Sequence, residues 1–460
     1  MKTINILFIS FIFLTFLFSN VFAEKNQENS HSNITSTLLW LSLLIILSRI
    51  GSLVEKIKQP SVLGEILIGI IIGNLGLLGF NFLNGIKHDN LLAFLAELGV
   101  IILLFQIGLE SNIAQMKKVG LPSLLVALIG VISPFLLGTY IVGPLFFPGL
   151  SFNTYLFLGA TLTATSVGIT ARVFRDLGAL NSSEAKIILG AAVIDDVLGL
   201  IVLAIVSAIV TTGSVALSNI IWITAKAFLF LLGAIILGNS LATYLSKLFS
   251  KIHTGVGMKF ALALSFCFFF SFLSSKIGLA PIVGAFAAGL ILDPVHFKSF
   301  SKPKIVEELE EFEKKLQNNE KSKLKNIIHH HSEHHIEDLV EPVAYLLVPL
   351  FFVYTGLGVD ISSLFNLKSL ILAVAITLVA IIGKYLSGVG IIFFKEFRNL
   401  NKNIIGFGMV PRGEVGLIFA VIGKNLGVIN DTLFSIIVLI IIATTLISPL
   451  ILSSLLRKNK

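Results

Sequence analysis

The sequence predicts an all-α polytopic membrane protein with about 13 transmembrane helices. Three observations predict it. The chain of 460 residues is 55% hydrophobic, with a mean hydropathy of +0.95. Only 13% of its residues are charged, about half the share carried by a soluble domain. Apolar runs of about 18 residues or more recur from one end to the other. These features exclude a soluble enzyme, a nucleic-acid binder and a disordered scaffold. The net charge of +8 is assigned to Lys and Arg held in cytoplasmic loops rather than to a polyanionic partner. A single cysteine, Cys267, allows neither a disulfide framework nor a thiolate metal site. Nothing in the chain points to an enzyme or a cofactor.

Taken in order, residues 1–23 read as a secretory signal peptide: a charged start, a short apolar stretch and Val21-Phe22-Ala23 with a small residue at its end. Residues 24–36 are then a polar, exported N-terminus. A first transmembrane part fills 37–295, with spans near 37–54, 61–80, 91–109, 120–147, 152–172, 186–211, 218–243, 259–275 and 280–295. A second part fills 342–460, with spans near 342–357, 369–394, 403–423 and 432–456. An external N-terminus and an odd span count leave the C-terminus in the cytoplasm. With that orientation, about 25 basic residues fall on the cytoplasmic side and about five on the outer side, as the positive-inside rule requires.

Between the two parts, 296–341 is a cytoplasmic loop. Ile305, Leu309, Phe312 and Leu316 recur at helical spacing among Glu and Lys, the pattern of an amphipathic surface helix. His329, His330, His331, His334 and His335 follow. Such a cluster can bind a transition metal or titrate near neutral pH, and a solvated polar loop is the plainer reading.

The functional signal lies in ionisable residues placed inside apolar runs, where a charge is costly unless paired or hydrated. Asp195 and Asp196 stand mid-span in the sixth helix. Adjacent helix positions diverge by about 100°, so one carboxylate can face a wet cavity and the other a protein partner. A carboxylate in such a cavity takes up either a proton or a cation, which is the chemistry of proton-coupled cation exchange. Lys384, deep in the eleventh span, needs a counter-ion, and either aspartate can serve. Lys226 is a weaker candidate, placed to snorkel. Glu65 and Glu97 stand near span entrances, as packing polarity or helix contacts.

Two spans also look interrupted. The fifth carries Thr161, Thr163, Thr165, Ser166, Gly168 and Thr170, and the twelfth carries Gly408, Pro411, Arg412, Gly413 and Glu414. Pro411 removes a backbone donor. One broken helix in each half of a transporter is a pointer to an ion site at the membrane midplane. Arg412 and Glu414 can neutralise the opposing half-helix dipoles there.

Four segments in this order resemble the NapA-type sodium/proton antiporters, in the bacterial branch of the cation/proton antiporter superfamily. They are Gln59-Pro60-Ser61-Val62-Leu63-Gly64-Glu65-Ile66-Leu67, Thr163 to Arg172, Ile194-Asp195-Asp196, and Val410 to Leu417. The resemblance covers 37–456. It implies two inverted five-helix repeats with two broken crossing helices, a mobile core domain, a dimerisation domain and a homodimer in the bacterial inner membrane. It implies that Asp196 binds Na⁺, that Asp195 pairs with Lys384, and that Thr163, Ala164 and Thr165 lie at the unwound crossing where carbonyls help coordinate the ion. Arg412 and Glu414 would belong to the opposing broken helix. The expected activity is exchange of cytoplasmic Na⁺ or Li⁺ for external H⁺, electrogenic as for relatives with paired aspartates. A K⁺/H⁺ antiporter on the same scaffold is the alternative. The 296–341 insert departs from the family pattern.

Overall fold

The computed structural model describes residues 30–57, 59–79, 84–87, 89–110, 120–179, 182–212, 217–292, 335–362, 367–394 and 399–458, with isolated positions between 297 and 312 and at 397. The expected signal peptide (1–23) and residues 24–29 of the expected exported segment therefore lie outside the described residues, and the rest of that segment is the start of the first helix. Among the described residues every regular element is helical. Among the described residues eight helices are long and apolar enough to cross a membrane, and Ser61–Leu77, Pro281–Ile291 and Val415–Asn425 are shorter apolar ones. The protein is a multi-pass membrane protein.

In chain order the main helices are α1 (Ser30–Gly51), α2 (Ser61–Gly73), α3 (Asn90–Glu110), α4 (Gly120–Leu136), α5 (Phe152–Thr161), α6 (Val167–Asp176), α7 (Ser183–Thr212) and α8 (Leu217–Ser250). They continue with α9 (Val256–Lys276), α10 (Pro281–Ile291), α11 (His335–Leu357), α12 (Leu367–Tyr385), α13 (Lys402–Gly408), α14 (Glu414–Asn425) and α15 (Asp431–Lys458). Every expected span is occupied by helix. Two are less regular than their hydropathy suggests. After α4, which contains Pro134, the backbone widens into a π-helical turn at Leu137–Val142. After α12 it tightens into a 3₁₀ segment, Leu386–Phe393.

The helices sort into two bodies. A panel forms where α2 packs on α11, α3 packs on both α10 and α11, and α9 packs on α10. A core forms where α4 packs on α7 and α12, and where α5, α13, α14 and α15 surround the breaks. The long helix α8 touches α7 on one side and α10 on the other, joining the two. Each half of the chain repeats one order: two panel helices (α2, α3; α10, α11), a core helix (α4; α12), a broken helix (α5/α6; α13/α14) and a long helix (α7; α15).

Small residues make the panel possible. Gly69 of α2 and Gly356 of α11 face each other so closely that a Cβ on Gly69 would stand 2.1 Å from Val353 O. Gly108 of α3 and Gly289 of α10 repeat the arrangement, with a Cβ on Gly289 2.2 Å from Phe105 O. Where lipid supplies no hydrophobic drive, close backbone packing of this kind holds helices together.

The last residues of the expected 296–341 loop are helical. Helix α11 begins at His335, not near 342, and opens with Glu337 and Asp338, acidic residues suited to a helix N-terminus. Of the expected amphipathic helix, Val306 is buried and Phe312 exposed. Ser301 is tied down by Lys259, whose Nζ donates to its carbonyl at 2.6 Å. His329, His330, His331 and His334 lie outside the described residues, as does the side chain of His335.

Candidate ion site at the crossing of two broken helices

The fifth span breaks because its hydroxyls and backbone find partners outside the helical ladder. Helix α5 ends at Thr161, and α6 resumes at Val167. Between them the chain is non-helical over 164–166. The twelfth span breaks around Pro411, leaving 410–413 non-helical between α13 and α14. The two breaks cross. Ser166 N donates to Pro411 O at 2.8 Å, Thr165 Oγ1 to Met409 O at 3.1 Å and Thr170 Oγ1 to Gly408 O at 2.6 Å. Gly413 permits the approach, since a Cβ there would sit 2.8 Å from Ser166 Cβ. Four helix ends thus meet at one point, with positive and negative dipole ends facing inward.

Arg412 is fully buried in this crossing. Its Nη2 donates to Leu162 O at 2.9 Å and to Ala380 O at 2.9 Å. The guanidinium therefore sits at the carbonyl end of α5, where a cation offsets the helix dipole and satisfies an orphan acceptor. Thr445 Oγ1, from α15, donates to the Arg412 carbonyl. Glu414 opens α14; its side chain lies outside the described residues.

Helix α7 carries the two aspartates past this crossing. Asp195 Oδ1 accepts from Lys384 Nζ at 2.8 Å, with both side chains wholly buried. Thr165 lies beside the Asp195 carboxylate but completes no hydrogen bond to Oδ2, which is buried and unbonded. Asp196 is half-buried and within electrostatic reach of Lys384. Asp195 is likewise within electrostatic reach of Arg412. Two carboxylates and two cations make the cluster formally neutral, which is how four such groups can share a membrane interior. Thr163 and Ala164 are buried at the break itself; Thr163 Oγ1 turns back to Ala160 O at 2.8 Å.

Other candidates lie elsewhere. Lys226, on α8, stands over the Trp222 ring at 5.7 Å. Glu65 is buried where α2 meets α1. Glu97 lines a cavity of about 1030 Å³ between panel and core, together with Lys87, Tyr354, Asp360, Lys424 and Asp431. That cavity reaches α7 at Ser207, roughly 16 Å along the helix from Asp196 at 1.5 Å per residue. Sequence reasoning missed Gly130, which faces the Asp195–Lys384 pair, and Ser387, Thr445 and the Ala380 carbonyl. The recurrence of Gly130, Pro134 and Gly138, four apart along α4 and the π-helical turn that follows it, was the available signal.

Comparison with known proteins identifies the family. The sequence profile of the family described as "Sodium/hydrogen exchanger, transmembrane" matches residues 40–319 and 324–458. The high-affinity Na(+)/H(+) antiporter NhaS3 of Synechocystis sp. is 34% identical, over 93% of this chain and 91% of its own. The Na(+)/H(+)-K(+) antiporter GerN of Bacillus cereus is 33% identical, over 89% and 93%. The solved structure of the sodium proton antiporter MjNhaP1 from Methanocaldococcus jannaschii superposes with a TM-score of 0.62 over 92% of this chain and 99% of that one. At 18% identity it speaks for the fold alone. By profile and by relatives more than 30% identical over most of their length, the chain belongs to the sodium/hydrogen exchanger family.

Proposed function

We propose that this protein is a secondary antiporter that exports cytoplasmic Na⁺ or Li⁺ in exchange for external H⁺. The observation that carries the proposal is the Asp195–Lys384 pair, 2.8 Å apart and buried against the crossing of two broken helices, with Asp196 next to it. The names of the relatives agree with this substrate. Asp196 is the carboxylate over which Na⁺ and H⁺ compete. The carbonyls of Thr163, Ala164 and Thr165, freed from the helical ladder, offer further oxygens for a hard cation. An arriving ion draws Asp195 away from Lys384, and returning protons restore the bridge.

The core, carrying the site, moves against the panel and exposes it alternately to each face. The panel is the part suited to pairing with a second copy in a homodimer. Charge distribution supports an external N-terminus and a cytoplasmic C-terminus in a bacterial inner membrane. With two aspartates in play, two protons per Na⁺ would move one net charge per cycle, worth about 2.3 kcal/mol per 100 mV. GerN, named for K⁺ as well as Na⁺, supports K⁺ as an alternative substrate on the same site.

The test is a pH-gradient dequenching assay in proteoliposomes, with Na⁺, Li⁺ or K⁺ added to wild type and to Asp196→Asn. We expect responses to Na⁺ and Li⁺ that are lost, by about 100-fold or more, in the variant. A response to K⁺ alone would overturn the sodium assignment. Silence toward all three cations in correctly folded protein would overturn antiport.

A further inference from the structure

The exchange cycle leaves one group without an obvious place. If an ion opens the Asp195–Lys384 bridge, the Lys384 ammonium must go somewhere. It is fully buried and cannot turn to bulk water. A buried cation stripped of its acceptor is costly, so a second acceptor within reach decides how readily the bridge opens.

Ser387 occupies that place. It is three residues after Lys384, near the start of the 3₁₀ segment that follows α12, while Lys384 stands in the last turn of α12 itself. It is fully buried, and its Oγ has no hydrogen-bond partner among the described residues. A buried hydroxyl left unbonded calls for an explanation. Opposite it stands Gly130 of α4. A methyl group on Gly130 would lie 3.4 Å from Ser387 Cβ, 3.7 Å from Lys384 Nζ and 3.8 Å from Asp195 Oδ1. One small gap therefore borders the lysine, its present partner and the unbonded serine together.

We propose that Ser387 is a positioning residue that accepts a hydrogen bond from the Lys384 ammonium when the bridge opens, across a gap that Gly130 keeps clear. This rests on the antiport reading and adds to it a counter-partner for the ion-bound state. Ser387 touches no ion. It acts by lowering the cost of releasing Asp195.

The test measures cation-driven exchange and ion-induced thermal stabilisation in purified full-length protein. Ser387→Ala should raise the KM for Na⁺ about tenfold, the worth of one hydrogen bond to a charged group, with Vmax within about twofold of wild type. Stabilisation by Na⁺ should shrink in parallel, while the melting temperature without ion stays near wild type. Gly130→Ser in the Ser387→Ala background should restore KM to within about threefold, because it supplies a hydroxyl from the opposite wall. A serine that merely fills space predicts no such rescue. If wild type exchanges Na⁺ and Ser387→Ala keeps its KM, or the double variant folds but fails to recover, the inference is overturned while antiport stands. If wild type transports no cation, antiport itself falls, and this inference falls with it.

Discussion

The panel and the core solve one problem in opposite ways. Backbone polar groups inside a membrane must be satisfied, because no water is there to do it. In the panel, α2, α3, α10 and α11 satisfy their own groups within each helix, and glycines then press one finished ladder against another. Gly69 against Gly356 and Gly108 against Gly289 bring backbones together with almost no side chain between them. In the core, the ladders of α5/α6 and α13/α14 are broken, and their carbonyls are satisfied by side chains from other helices: Thr165, Thr170, Arg412 and Thr445. A closed ladder has nothing to offer an ion. An open one, held by groups that can be exchanged, does. The panel is built to stay, and the core is built to bind.

The sharpest way to break this contrast is at Arg412. Arg412→Met leaves the carbonyls of Leu162 and Ala380 buried without their donor and removes the cation nearest the carbonyl end of α5. We expect a loss of about 3–5 kcal/mol, read as a fall in thermal stability in detergent, together with loss of exchange. Arg412→Lys should recover only part of it, since one ammonium replaces a planar fork that holds two carbonyls.

The corresponding test in the panel is steric. In Gly289→Val the new Cβ would stand 2.2 Å from Phe105 O, which is backbone and cannot turn aside. Overpacking of this kind costs about 1–3 kcal/mol. Protein that still folds should keep a wild-type KM for the transported ion. A changed KM would show that the panel shapes the site directly and would blur the division drawn above.

A single hydroxyl at the crossing should weigh less. Thr170→Val removes the 2.6 Å bond to Gly408 O and leaves that carbonyl unpaired. The expected cost is about 1–2 kcal/mol in thermal stability. A neutral result would mean that the crossing is held by Arg412 and the backbone bond from Ser166 to Pro411, with the threonines adding little.

The sequence made the core's charges legible because each is expensive where it stands. Asp195, Asp196 and Lys384 interrupt apolar runs, and Pro411 removes a backbone donor within a glycine-rich stretch, so neither needs the fold to be noticed. The order of spans was legible for the same reason, hydropathy being a local property. What stayed hidden depends on which helix lies opposite. Gly130 looks like any glycine in an apolar stretch until α4 is laid against Lys384. Ser387 gives no sign that it shares a gap with the lysine, because the change from α to 3₁₀ winding after Tyr385, where the chain packs against α4 and α13, is not written in hydropathy. Thr445, in the last span, is one hydroxyl among several until it is set beside the Arg412 carbonyl. The start of α11 at His335 was missed because charged residues depress hydropathy without forbidding helix.

The smallest effect is expected outside both bodies' interiors, at the rim of the large cavity. Lys87 follows the loop after α2 and is half-buried there. Burial, with Lys424 adding repulsion, holds its ammonium below the ordinary value of 10.5 despite Asp360 and Asp431 nearby. A folded state that binds this proton less tightly than the unfolded chain is penalised while both carry it. The penalty is relieved as pH rises through the lowered folded value toward 10.5. Lys87→Met removes the penalty altogether. The variant should therefore melt slightly higher than wild type near neutral pH, by less than about 2 °C, with the gap closing as pH rises. Exchange should persist, because Lys87 stands far from the crossing. A variant that melts lower than wild type at neutral pH would mean that the attraction of Asp360 and Asp431 outweighs burial, so that Lys87 pins the rim rather than straining it.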